Sequence, residues 1–143
     1  LLVKMVILDA TDLVLGRMAT RAAELAMKGE NVVIINSEKA IISGKKNMII
    51  GRYRKKLERG IPSKGPFFPR RSDMIVRRTI RGMLPYKKPK GRDALSRVKC
   101  HVGVPEELKD KKFETYEEAS LSKLSVLRFI RLGELARLLG GKA

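Results

Sequence analysis

Residues 5–36 read MVILDATDLVLGRMATRAAELAMKGENVVIIN, and the periodicity of this stretch decides the fold. Val6-Ile7-Leu8 is a short apolar run containing β-branched residues and ended by Asp9, the pattern of a buried strand. Asp9–Asp12 reads as a turn. From Leu15 to Lys28 the period changes: Met18, Ala22, Leu25 and Ala26 share one helical face, Arg17, Arg21 and Lys28 lie on the other, and Gly29 is a natural stop. That basic side fits either a solvated face or an RNA contact. Val32-Val33-Ile34-Ile35 is a second buried strand. A strand, a helix and a strand within about 30 residues form a βαβ unit, which implies parallel pairing and an α/β protein.

Moving outward, Ser37-Glu38-Lys39 turns, and Ala40-Ile41-Ile42 reads as a third short strand closed by Ser43-Gly44. Over Lys46–Glu58 the spacing predicts a helix with Ile49, Ile50, Tyr53 and Leu57 inside and Lys45, Arg52, Lys56 and Arg59 in one outer stripe. Gly60–Pro66 is an extended loop, and Phe67-Phe68 stands between two prolines just before Arg70-Arg71. Ser72 reads as the N-cap of a helix running to about Met83, with Asp73 in its first turn. Val76, Ile80, Met83 and Leu84 are its expected inner face, while Arg77, Arg78 and Arg81 point elsewhere. Leu84–Arg92 reads as a second basic loop stiffened by proline, followed by a short helix at most over Asp93–Arg97. Val98, Cys100, Val102 and Val104 alternate as a fourth strand that Pro105 ends. The remainder is expected to hold turns with one short helical piece, an extended segment at Val126–Ile130, and a terminal amphipathic helix at Gly133–Leu139.

With 143 residues and 43% apolar content, the chain is expected to form one domain, 1–143, around one core. Its net charge of +17 is concentrated: residues 44–99 hold 19 Lys or Arg against Glu58, Asp73 and Asp93, whereas both flanks are nearly balanced. Self-repulsion of this kind gains nothing for a compact body unless a polyanion neutralises it. A single cysteine, Cys100, forms no internal disulfide, no CxxC cluster is present, and the chain fits a reducing compartment. No apolar run approaches the roughly 18 residues that span a bilayer, and LLVKMVILD turns acidic too soon for a signal peptide. The sequence opens on Leu1, which leaves Met5 or an extension through Leu1–Lys4 as the start. Three Asn, no Gln and abundant Lys, Arg and Glu fit a heat-loving source.

Signals for chemistry are few. Cys100 and His101 are adjacent in a predicted strand, which sends their side chains to opposite faces and prevents a dyad. Asp9 and Asp12 follow a strand end, where α/β sites form; they either shape the turn or hold Mg²⁺ in a metal-dependent nucleic-acid-processing enzyme. Ser43-Gly44-Lys45 resembles a phosphate loop but lacks the full pattern, since positions 39 and 46 are both Lys. It still leads into a helix start that favours an anion. A DNA-binding or membrane-surface module finds no helix-turn-helix, heptad or lipid-anchor motif. The basic stretch is the strong signal: two amphipathic helices and two stiff loops present cations together, and arginine dominates residues 70–81, as planar phosphate forks favour. Phe67, Phe68 and Tyr86 within these loops either stack on unpaired bases or pin the loops to the core, the latter being expected for one of the two Phe.

Arg81-Gly82-Met83-Leu84-Pro85-Tyr86-Lys87, then Gly91–Leu95 and Val98–Pro105, resemble the signature of the universal ribosomal protein thirteen family of the large subunit. Asp9–Arg17, Ile35–Lys39 and Ser43–Lys46 match its other landmarks in the same order, so the likeness covers about residues 5–140. The loop IPSKGPFFPRR resembles the archaeal and eukaryotic type rather than the bacterial one. The resemblance implies a three-layer α/β/α fold around a mostly parallel sheet of about four strands. It also implies binding to large-subunit rRNA, often early in assembly, on a cytoplasmic ribosome beside other large-subunit proteins. No catalysis, cofactor, membrane or small-molecule substrate is implied. The expected RNA-binding residues are Arg17, Lys45, Lys46, Arg52, Lys55, Lys56, Arg59, Lys64, Phe67, Arg70, Arg71, Arg77, Arg78, Arg81, Tyr86, Lys87, Lys88, Lys90 and Arg92.

Overall fold

The computed structural model describes residues 5–60, 63, 65, 68–116, 119–120 and 128–140. The βαβ unit is present as β1 (Met5–Asp9), α1 (Leu15–Met27) and β2 (Asn31–Ile35). There follow β3 (Ile41–Ser43), α2 (Lys46–Glu58), α3 (Ser72–Met83), α4 (Pro89–Ser96), β4 (Val98–Cys100), β5 (Phe129–Arg131) and α5 (Leu132–Leu138), with 3-10 turns at Ser37–Lys39 and Glu106–Leu108. β2 lies between β1 and β4, parallel to both, with Val32 opposite Val6 and Val98.

Alternation along the strands divides the core. Val6, Leu8, Val32, Ile34 and Val98 face the main cluster, which includes Met18 and Ala22 of α1, Ile75, Val76 and Ile80 of α3, and Leu132 and Leu135 of α5. Ile7, Val33 and Ile35 face the other way, against Val104, Leu108 and Phe113. A parallel sheet needs both faces covered. Here the third layer is irregular chain with one 3-10 turn, tied to β1 where Glu114 N–H donates to Ile7 O (2.7 Å) and Asp9 N–H to Glu114 O (2.9 Å).

The α/β class with a mostly parallel sheet is as expected, but the strand count differs. Among the described residues the parallel sheet has three strands, not about four, because β3 pairs antiparallel with β5 in a separate two-stranded sheet. Asn36 sits in the left-handed region (φ 56°), and the 3-10 turn after it swings the chain off the sheet. The fourth strand stops at Cys100 instead of Val104. β2 ends at Ile35, so the ladder loses its partner, and Gly103 (φ 70°) turns the chain while accepting a hydrogen bond from Asn36 N–H (2.9 Å). Of the extended segment expected at 126–130, residues 126–127 lie outside the described residues, and the rest leads into β5.

Two helix boundaries also differ. Arg71, not Ser72, occupies the cap position of α3; Ser72 is its first helical residue, buried, with its hydroxyl unpartnered. Asp73 is in the first turn as expected, accepting from Met74 N–H (2.9 Å) and pairing with Arg71 (3.1 Å). Met83 is 44% exposed, and Leu84 alone closes the inner face there. The expected second basic loop is half helix. Pro89 opens α4 at its first position, where its missing N–H leaves no bond unmade.

Cys100 packs against the main core, and burial pushes its thiol up to about 12, although the Arg77 guanidinium draws it down. The thiolate is the reactive form. Cys100 is half-buried, so iodoacetamide at pH 8 is expected to label it slowly in the folded protein and rapidly in denaturant. Equal rates by mass spectrometry would contradict this burial.

Candidate nucleic-acid interface

α2 docks through buried Ile49 and Tyr53 with Ile50 and Leu57 half-buried, which leaves Arg52, Arg54, Lys55 and Arg59 exposed. α3 docks through Ile75, Val76 and Ile80, leaving Arg78 exposed and Arg77 and Arg81 half-buried. Phe68 lies between the two helices, edge-to-face with Tyr53 at 5.7 Å between ring centroids. It is half-buried and packs on the core, so it is the pinning phenylalanine of the pair; Phe67 and Lys64 lie outside the described residues. The Lys56 ammonium stands 4.8 Å from the Tyr53 centroid and 5.1 Å from that of Phe68, and the Arg78 guanidinium is 5.9 Å from Phe68.

These residues wall a cleft of about 660 Å³, with Arg52, Lys56, Arg59 and Arg78 around Tyr53 and Phe68, and among the described residues no acid lines it. Burial first, then the like charges of Arg52, Arg59 and Arg78, hold the Lys56 ammonium below its ordinary range. Burial raises the Tyr53 phenol, with Arg52 pulling against it. The crowding read from sequence is thus real at the level of side chains: four cations from α2, its C-terminal end and α3 converge at the cleft, and among the described residues none has an acidic partner there.

The other expected residues divide into four groups. Arg81 stacks over Tyr86 at 4.3 Å, and Lys87, Lys88, Lys90 and Arg92 are exposed on the turn and first helical turn beside it. Arg17, Lys55 and Arg70 are exposed. Lys45 and Lys46 border a shallow depression with Arg128 at the start of α2, and Lys46 also pairs with Glu134 of α5 (3.3 Å). Two expected residues are engaged within the protein. Arg77 donates to Leu95 O (3.3 Å), and Arg71 pairs with Asp73. Sequence reasoning passed over Arg54, which is exposed on α2 outside the chosen stripe, and Arg128, which reaches Lys45 only through the β3–β5 pairing.

The metal reading of Asp9 and Asp12 gives way to separate structural roles. Asp9 Oδ1 accepts from Thr11 N–H (3.0 Å), Thr11 Oγ1 (2.7 Å) and Asn36 Nδ2 (3.0 Å). Asp12 forms an ion pair with Arg131 (2.7 Å). Among the described residues no cluster of three or more His, Cys, Asp or Glu could hold a metal. Burial pushes the Asp9 carboxyl up, but the hydrogen bonds from Thr11 and Asn36 and the charge of Lys39 outweigh it and hold the group below its usual range. A depressed folded value stabilises the fold at neutral pH, and that contribution is lost as pH falls through the folded value. Asp9→Ala is accordingly expected to cost about 1–2 kcal/mol at pH 7 by stranding Asn36 and Thr11, with the deficit shrinking in acid; denaturant melts across pH check this. Among the described residues no helix is long and apolar enough to cross a membrane.

Residues 3–107 match the family described as Ribosomal protein L13. Large ribosomal subunit protein uL13 of Methanosarcina barkeri is 48% identical over 139 residues, covering 96% of this chain and 99% of its own length. The proteins of the same description from Methanopyrus kandleri and Archaeoglobus fulgidus are 46% and 44% identical over 136 and 135 residues, each covering 94% of this chain and 86% of its own. With a match of this extent and relatives of this identity, the chain belongs to the ribosomal protein L13 family.

Proposed function

We propose that this protein is a structural constituent of the large ribosomal subunit, not an enzyme, which binds and organises large-subunit rRNA early in assembly. Residues 1–143 act as one domain in the cytoplasmic ribosome, with 44–99 as the RNA-binding region and neighbouring large-subunit proteins alongside. The observation that carries the reading is the convergence of Arg52, Lys56, Arg59 and Arg78 on one cleft that no acid lines among the described residues. Such a surface repels itself until an anion lies across it. The family match supplies the particle in which a polyanion of this kind resides.

Sedimentation of source-cell extract tests the reading. The protein is expected to travel with the large subunit and to persist through moderate salt washes. Its depletion is expected to accumulate incomplete large-subunit particles. Migration at the top of the gradient at all salt concentrations would overturn the assignment.

A further inference from the structure

We infer that the cleft between α1, α2 and α3 seats one unpaired nucleotide of the bound RNA, its base against Leu15, Ile42 and Phe68 and its phosphate among Arg52, Arg59 and Arg78. The inference rests on the RNA-binding reading above and narrows it to one ligand group.

Three observations converge. The first is chemical. The walls combine apolar and aromatic side chains, Leu15, Ile42, Tyr53 and Phe68, with cations set close to the rings, which matches a planar base joined to an anion. A duplex presents its backbone outward with its bases paired and stacked, and makes no use of an apolar wall. The second is size: about 660 Å³ falls within the ~300–1,000 Å³ of pockets that enclose small organic ligands.

The third is the placement of two glycines. Gly16 in α1 and Gly82 in α3 both line the cleft. Neither has a positive φ, and a Cβ built on either meets nothing within 4 Å. Glycine inside a helix weakens it by roughly 0.5–1 kcal/mol relative to alanine, and nothing in the packing around these two requires the missing side chain. Gly51 of α2 also has open space but does not border the cleft, so room alone does not single out the other two. At Gly16 and Gly82 the absent side chain keeps the walls of the cleft apart. The half-buried Lys56 between the rings adds to this: a phosphate placed among its cationic neighbours would relieve the repulsion that now bears on it.

The test is nucleotide-resolution chemical footprinting of purified large-subunit rRNA with the intact protein and with Gly82→Leu and Gly16→Leu, which fill the cleft and leave its charges in place. Each variant is first checked by thermal melting, which is expected to match or exceed the parent. The parent is expected to shield the base edge of an unpaired nucleotide, and both variants to lose that protection while backbone protections elsewhere persist, with overall affinity about tenfold weaker from loss of one stacked base. Unchanged protections in both variants would overturn the seat while leaving RNA binding intact. No protection by the parent anywhere would overturn the RNA reading and the seat with it. A parallel titration uses AMP and inorganic phosphate. AMP binding as tightly as the rRNA would assign the cleft to a free nucleotide instead, and AMP binding about tenfold tighter than inorganic phosphate but far more weakly than the rRNA is the result expected for a seat completed by the flanking strand.

Discussion

Raising monovalent salt from 50 to 200 mM is expected to weaken binding of this protein to large-subunit RNA by about three to five powers of ten, the response of a surface that neutralises six to ten phosphates. The number of phosphates follows from which cations are free. Arg52, Arg59 and Arg78 make no hydrogen bond or ion pair among the described residues, and Lys87, Lys88, Lys90 and Arg92 are exposed. Each bound phosphate contributes close to one unit to the slope of log affinity against log salt. Changing Arg52, Arg59 and Arg78 together to Gln should therefore lower that slope by about three. The melting temperature should hold, because the change also relieves the repulsion on Lys56. Arg77→Gln is the internal control. It removes the bond to Leu95 O and should cost about 0.5–1.5 kcal/mol of stability while leaving the slope nearly unchanged. A flat salt response, or a triple variant that unfolds with its slope intact, would mean that these arginines serve the fold.

That contrast shows what a sequence can and cannot disclose. Arg77 and Arg78 are neighbours on α3, yet successive helical residues project about 100° apart, as 3.6 residues per turn dictates. One reaches the backbone of α4 and the other the rim of the cleft. The basic stripes of α2 and α3 were legible because each is a local period. That Arg52, Lys56 and Arg59 meet Arg78 around Phe68 is set by how both helices dock, which no local pattern encodes. The same division runs through the fold. The β1–α1–β2 unit follows from alternation and a helical period within one short stretch. The partner of β3 does not, because β5 lies far along the chain and its three residues carry little pattern of their own. Pro89 illustrates a different loss. A proline beside lysines and glycine reads as a breaker, but at a first helical position the same fixed φ starts a helix. The Ser72 cap failed because the chain enters α3 one residue earlier, through Arg71.

Gly91→Ala is expected to lower the melting temperature by several degrees or more, although alanine is the better helix former by about 1 kcal/mol. Gly91 is buried in the first turn of α4, and a Cβ there would run into the carbonyl of Pro85 and the amide nitrogen of Tyr86. Both obstacles are backbone, so no side chain can swing aside. The turn that carries them is fixed by Tyr86 N–H donating to Leu84 O (2.7 Å) and Lys88 N–H to Pro85 O (2.9 Å), with two prolines limiting its torsions. Forcing a methyl group into packed surroundings costs roughly 1–3 kcal/mol and occasionally more, and at a backbone-to-backbone approach the upper end applies. For a chain of this length each kcal/mol moves the midpoint by about 3–5 °C. Gly82→Ala supplies the opposite sign, since its Cβ enters open space and the helix gains, so its midpoint should rise by a few degrees. Because α4 also carries Lys90 and Arg92, Gly91→Ala should weaken RNA binding even below its melting point, as the helix shifts to admit the methyl group. A Gly91→Ala protein as stable as the parent would show that α4 does not press on the Pro85–Tyr86 turn.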